Sequence, residues 1–154
     1  MYYTLNSLFG FSGRMGRRAF LACQLIIYGY FLVSLSVGTL LFFDFNRSGP
    51  WGVITGSFTI IAAIILCARA MAATLIKRLH DLGHSGLHAI WIGILYALLG
   101  RMEILSIKTG DPKFVNMTAG FGLISLSVML YLICMPGEKS ENQYGCSNSD
   151  ANLA

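Results

Sequence analysis

Apolar residues run through this chain in four long blocks, separated by charged and turn-forming residues. The first block extends from Ala19 to Phe43 and stops at Asp44, Asn46, Arg47 and the Ser48-Gly49-Pro50 turn. The second, Trp51 to Ile76, is broken only by Arg69 and closes at Lys77 and Arg78. A third begins at Leu87 with an uncharged stretch to Gly100, short for a crossing. It reaches spanning length by continuing through Arg101 and Glu103 to Ile107, with both side chains snorkelling toward the far interface. The fourth, Phe114 to Met135, carries no charge and ends at Pro136-Gly137, a strong helix stop. Blocks of this kind match the roughly 20 residues that cross a hydrocarbon core of about 30 Å. Backbone in lipid must satisfy its own hydrogen bonds, so the pattern predicts an all-α polytopic membrane bundle. It has four transmembrane helices joined by short loops, in a single membrane domain over residues 1–154. A polar tail, 136–154, follows the last span as a short, mostly exposed extension.

Composition agrees. Apolar residues make up 55% of the chain and charged residues only 12%, half the share of an average soluble domain, which favours the membrane class. The net charge of +4 matters less than its distribution. Four spans place Arg14, Arg17, Arg18, Lys77, Arg78 and Lys139 on one side and Arg47, Arg101, Lys108 and Lys113 on the other. The first group clusters at helix ends, so that side, with both termini, is read as cytoplasmic. No dense basic run interleaved with exposed aromatics points to nucleic acid. The arginines ahead of Ala19 resemble the start of a signal peptide, but the apolar run is far too long and lacks an A-x-A site, so it is read as a retained first helix. Cys23, Cys67, Cys134 and Cys146 form no C-x-x-C pair, and the first three lie in apolar blocks as small hydrophobes; neither a disulfide framework nor a zinc site is expected.

Three polar motifs interrupt the apolar pattern. In Phe9-Gly10-Phe11-Ser12-Gly13-Arg14-Met15-Gly16-Arg17-Arg18, the arginines share a face if helical, which suits an anchor against anionic lipid headgroups. Tyr2, Tyr3, Leu5, Phe9 and Phe11 extend it as an interfacial stretch. The second motif runs from Lys77 to Gly86. Here Asp81 lies within one helical turn of both Lys77 and Arg78, and Gly83 and Gly86 turn the chain back. His80 with Asp81 beside it offers an acid–base pair, yet no nucleophile or second catalytic pair accompanies them, so no catalytic residue is assigned. His80, His84 and His88 recur every fourth residue, but Gly83 and Ser85-Gly86 break the helix that would align them, so no metal site and no cofactor is expected. The third motif, Pro136 to Gly145, reads as a structured turn in which Asn142 and Gly145 tolerate tight backbone angles and Tyr144 can lie at the interface.

Within the spans, Arg69 is the anomaly, costing up to about 2.5 to 3.5 kcal/mol at the bilayer centre unless it snorkels or finds an intramembrane partner. Gly52 with Gly56, and Gly93 with Ala97, mark places where helices can approach closely, within or between subunits.

Taken together, the Phe-x-Gly-Arg-x-x-Arg-Arg start, the Arg78-Leu79-His80-Asp81-x-Gly-x-Ser-Gly loop and the Pro-Gly ending in Asn142-x-Tyr144-Gly145 resemble the domain of unknown function 805 family (DUF805) over nearly the whole chain. The resemblance implies a small bacterial inner-membrane protein without an assigned activity. This chain departs from the pattern at Leu87 and His88, where bulky aromatics are usual, at Ser140, where glycine is, and at Gln143, where a basic residue is. A shared site is expected among Arg14, Arg17, Arg18, Arg78, His80, Asp81, Ser85, Asn142 and Tyr144, as a cytoplasmic polar cluster. The expected role is a non-enzymatic scaffold, regulatory or protective partner of another membrane component. Its partners are the lipid bilayer, anionic headgroups, and a membrane protein or a second copy of the chain. A small transporter or channel is the alternative, and an enzyme on phosphate-headed lipids a third.

Overall fold

The computed structural model describes residues 9–43, 49–138 and 140–145. Four helices follow in chain order: α1 (Arg17–Phe43), α2 (Pro50–Asp81), α3 (His88–Thr109) and α4 (Pro112–Cys134). At 1.5 Å per residue they measure roughly 40, 48, 33 and 35 Å, each longer than a hydrocarbon core of about 30 Å. All four are long and apolar enough to cross a membrane, and the protein is a multi-pass membrane protein. The third helix continues unbroken through Arg101 and Glu103, as its expected extension required. Tyr2, Tyr3, Leu5, the loop at Asp44, Asn46, Arg47 and Ser48, Lys139, and the tail from Cys146 to Ala154 lie outside the described residues.

Local chemistry sets the helix ends. Pro50 and Pro112 occupy first helical positions, where a missing N–H costs nothing. Gly110 caps α3 in the left-handed region (φ 64°), its N–H reaching the Ser106 carbonyl. The next residue, Asp111, caps α4 by accepting from the Lys113 N–H. α3 and α4 thereby form a hairpin across a two-residue turn, and the Tyr96 hydroxyl donates to the Ser125 carbonyl across it (3.5 Å). α2 ends in a Schellman turn. Gly83 (φ 75°) donates to the His80 carbonyl at 3.2 Å, and His84 donates to the Leu79 carbonyl at 2.8 Å. That stop leaves His80 on α2, His84 in the turn and His88 at the start of α3, so the three histidines share no helix.

Residue contacts divide the chain into two compact units, Met1–Phe11 with Ala19–Thr74, and Ser12–Arg18 with Leu75–Ala154. In the first, Ile27, Cys67 and Ala70 form a small core against which Phe9, Phe31 and Met71 pack. Gln24 donates to the Thr74 hydroxyl at 3.2 Å in the same interior. Further along, the α1–α2 crossing is close enough that a Cβ on Gly56 would sit 2.6 Å from both the Gly38 carbonyl oxygen and the Phe42 nitrogen. Gly56 is therefore consumed inside the chain. In the second unit Gly93 has nothing within 4 Å of an added Cβ, so no contact there calls for glycine. Large apolar side chains along every helix face outward, Leu40, Phe58, Trp91 and Leu123 among them, as lipid permits. α3 buries no residue at all, although it packs along α4.

Candidate functional site

The second and third polar motifs and the Ser12–Arg18 part of the first belong to the second unit, and there they converge. The centre is Asp81, in the last turn of α2. Arg78, one turn earlier, pairs through Nη1 with Asp81 Oδ2, and Arg14 Nε lies 3.4 Å from Asp81 Oδ1. The side chains of Arg14, Arg78 and Asp81 are 1%, 0% and 6% exposed, so these ions are withdrawn from water and need partners for their remaining donors and acceptors. Sequence spacing proposed Lys77 and Arg78 as the two cations on this carboxylate; the structure assigns Arg78 and, from the N-terminal motif, Arg14.

The remaining donors of Arg78 go to main-chain carbonyls. Its Nε donates to Leu132 at 2.7 Å, Nη2 to Met135 at 2.5 Å and Nη1 also to Met15 at 3.4 Å. Leu132 and Met135 are at the C-terminal end of α4, where helical carbonyls lack intrahelical donors and a cation is favoured by the dipole. Arg17 adds a third contact at this end, donating to the Cys134 carbonyl at 3.3 Å. Arg14 turns the other way, into the C-terminal turn. Its Nη1 donates to the carbonyls of Ser140 (2.8 Å) and Gly145 (3.2 Å), and its Nη2 to that of Glu138.

That turn is held together locally. Asn142 and Gly145 pair through both backbone groups, and Asn142 Oδ1 accepts from the Tyr144 N–H at 3.0 Å. It docks on the end of α2 by three contacts. The Glu138 N–H donates to the Asp81 carbonyl (2.8 Å), Asn142 Nδ2 donates to the His80 carbonyl (3.0 Å), and the Tyr144 ring stacks on His80 with centroids 3.7 Å apart. Facing Gly13, His80 Nδ1 lies 3.3 Å from its carbonyl, so the imidazole is enclosed by the first and third motifs together.

Two glycines make the closure sterically feasible. A Cβ on Gly137 would overlap the Asp81 carboxylate, and one on Gly83 would lie 2.5 Å from Glu138 Oε1. Sequence reading took Pro136-Gly137 as a helix stop and Gly83 as a turn residue; neither reading revealed that the missing side chain makes room for a carboxylate. The backbone carbonyls that accept from the arginines were equally invisible, because any residue type supplies one.

Of the candidate residues, Arg14, Arg78, His80, Asp81, Asn142 and Tyr144 meet, with Arg17 at the margin. The expectation that Arg14, Arg17 and Arg18 share a helical face fails, because α1 begins only at Arg17. Arg14 is buried in the preceding irregular segment, while Arg17 and Arg18 are exposed. Ser85 serves its own loop, its hydroxyl accepting from the Leu87 N–H at 3.3 Å and its carbonyl from the His88 N–H at 3.1 Å. Arg69 belongs to the other unit. Among the described residues no group of three or more metal-ligating side chains is gathered.

Residues 8–146 match the sequence model of a family described as protein of unknown function (DUF805). No curated protein and no solved structure matches the chain.

Proposed function

The chain belongs to the DUF805 family, and on that basis we propose that it is a bacterial inner-membrane protein, both termini cytoplasmic, acting as a non-enzymatic scaffold, regulatory or protective partner of another membrane component. In this reading the three motifs form a cytoplasmic latch that ties the start of α1, the end of α2 and the end of α4 into one fixed surface. One observation carries it: the guanidinium groups of Arg14 and Arg78, the natural anion clamps of a phosphate-handling enzyme, are already engaged by Asp81 and by carbonyls of the chain itself. A clamp spent on its own backbone has little left for a substrate. The basic residues at helix ends favour placing that surface in the cytoplasm.

The test is reconstitution of the full chain into vesicles containing headgroup-labelled anionic phospholipid, following headgroup release and ion flux together, alongside crosslinking in native membranes. The proposal expects neither turnover nor flux above protein-free vesicles, and a crosslinked membrane-protein partner that is lost when Arg78 is replaced by Gln. Headgroup turnover would replace it by the enzyme reading, and sustained flux by the transport reading.

A further inference from the structure

Two features of the first unit that its packing leaves unexplained meet at one point. Arg69 is exposed on α2, and its guanidinium carbon lies 5.9 Å from the centroid of the Phe11 ring, itself 44% exposed. No acidic residue occurs in α1, or in α2 before Asp81, so neither helix supplies an internal counter-charge. Close by, Phe9 packs against the Ile27, Cys67 and Ala70 cluster. Ile27 lies about 15 Å along α1 from Arg17, while Cys67 and Ala70 lie roughly 21 and 17 Å along α2 from Asp81. Both helices therefore give the same answer: Phe9 reaches well down the length of the helices, and from Gly13 onward the chain is back at the end of α2, where the Gly13 carbonyl faces His80. Gly10 and Phe11 are not helical there.

Hydrocarbon satisfies neither feature. Irregular backbone at membrane depth needs protein or water for its polar groups, and an arginine at the centre costs about 2.5 to 3.5 kcal/mol. An anionic, hydrated headgroup drawn down to this point meets both needs at once, since guanidinium and phosphate form strong charge-assisted hydrogen bonds. The exposed side chains within about two turns before Arg69 on α2 include Ile64, Ile65 and Leu66, a surface that mobile acyl chains fit more readily than a close-packed partner helix. We propose that residues 9–11 form a re-entrant wedge in one leaflet, and that Arg69, flanked by the Phe11 ring, holds the phosphate of an anionic phospholipid seated against the wedge. The proposal rests on the multi-pass membrane assignment and is independent of the latch, to which neither Arg69 nor Phe11 belongs.

Depth and lipid are tested separately on the full chain. For depth, Phe11→Trp is made with Trp51 and Trp91 replaced by phenylalanine and reconstituted in vesicles of phosphatidylglycerol and phosphatidylethanolamine. Nitroxide quenchers are placed either on the headgroup or partway down the acyl chain. The wedge predicts stronger quenching from the acyl position; stronger quenching from the headgroup overturns it. For the lipid, native mass spectrometry follows phosphatidylglycerol retained after detergent washing. The expected result is one lipid per wild-type chain, lost in Arg69→Gln and partly kept in Arg69→Lys, with unchanged thermal unfolding showing that the variants fold. Equal retention in Arg69→Gln overturns the phosphate site. So does a wild-type chain that keeps no lipid while Arg69 crosslinks to a carboxylate of another membrane protein.

Discussion

Replacing Asp81 by asparagine isolates the electrostatics of the latch. The substitution preserves shape and one carbonyl acceptor, so it opens no cavity; it removes the single negative charge that Arg14 and Arg78 share in a site where all three side chains are at most 6% exposed. Breaking a buried pair by removing one partner costs about 3 to 5 kcal/mol, because the other charge stays buried. The main-chain carbonyls that surround both guanidiniums, together with the retained acceptor, place the expected loss at the lower end, about 3 kcal/mol. For a chain of this size, at about 2 to 4 °C per kcal/mol, unfolding should begin roughly 6 to 12 °C lower. The assay is thermal unfolding of the purified full chain in detergent, read by tryptophan fluorescence and by size-exclusion recovery. Asp111→Asn is the control, since aspartate and asparagine cap a helix about equally well. An Asp81→Asn chain as stable as that control would refute the reasoning, and would mean that the carbonyls alone hold the arginines.

The steric side of the latch is read by Gly137→Ala. Its Cβ overlaps the Asp81 carboxylate, so it should cost about 1 to 3 kcal/mol in the same melt and accelerate cleavage at Glu138 and Glu141 by a glutamate-specific protease. Tyr144→Ala removes the ring stacked on His80, a loss of about 0.5 to 1.5 kcal/mol that should also expose those cleavage sites; Tyr144→Phe keeps the stack and should behave as wild type. In the first unit Gly56→Val forces α1 and α2 apart at backbone atoms and should cost about 1 to 3 kcal/mol. Gly93→Ala, in open space on α3, should be neutral or stabilise by up to about 1 kcal/mol, measured by the same melt.

Helix number, type and approximate ends were legible because apolar length in a membrane protein is a strong signal and Gly49-Pro50, Gly83 and Pro136-Gly137 punctuate it. The predicted spans at 51–76 and 114–135 became helices Pro50–Asp81 and Pro112–Cys134. α2 overran its apolar run by a full turn because Lys77, Arg78 and Asp81 find partners within the protein. That residues of the three motifs lie together was legible too, through spacing and topology. What spacing cannot carry is which groups touch. Whether Asp81 is shared with Lys77 or with Arg14 depends on how the chain before α1 folds back, and a heptad-like spacing of arginines says nothing about whether that segment is helical. The role of Gly137 was hidden for the same reason, since a glycine needed for space and one needed for a turn look identical in one dimension.

The three motifs can form one latch only if they face the same side of the membrane, which cysteine accessibility in intact cells measures most directly. Single reporters at Ser12, His84, Thr109 and Gln143 on a cysteine-free background are treated with an impermeant thiol reagent before and after lysis. Labelling of Thr109 alone in intact cells, and of all four after lysis, is the predicted result. Labelling of Gln143 from outside would place the C-terminal turn across the membrane from Asp81, and the latch could not exist.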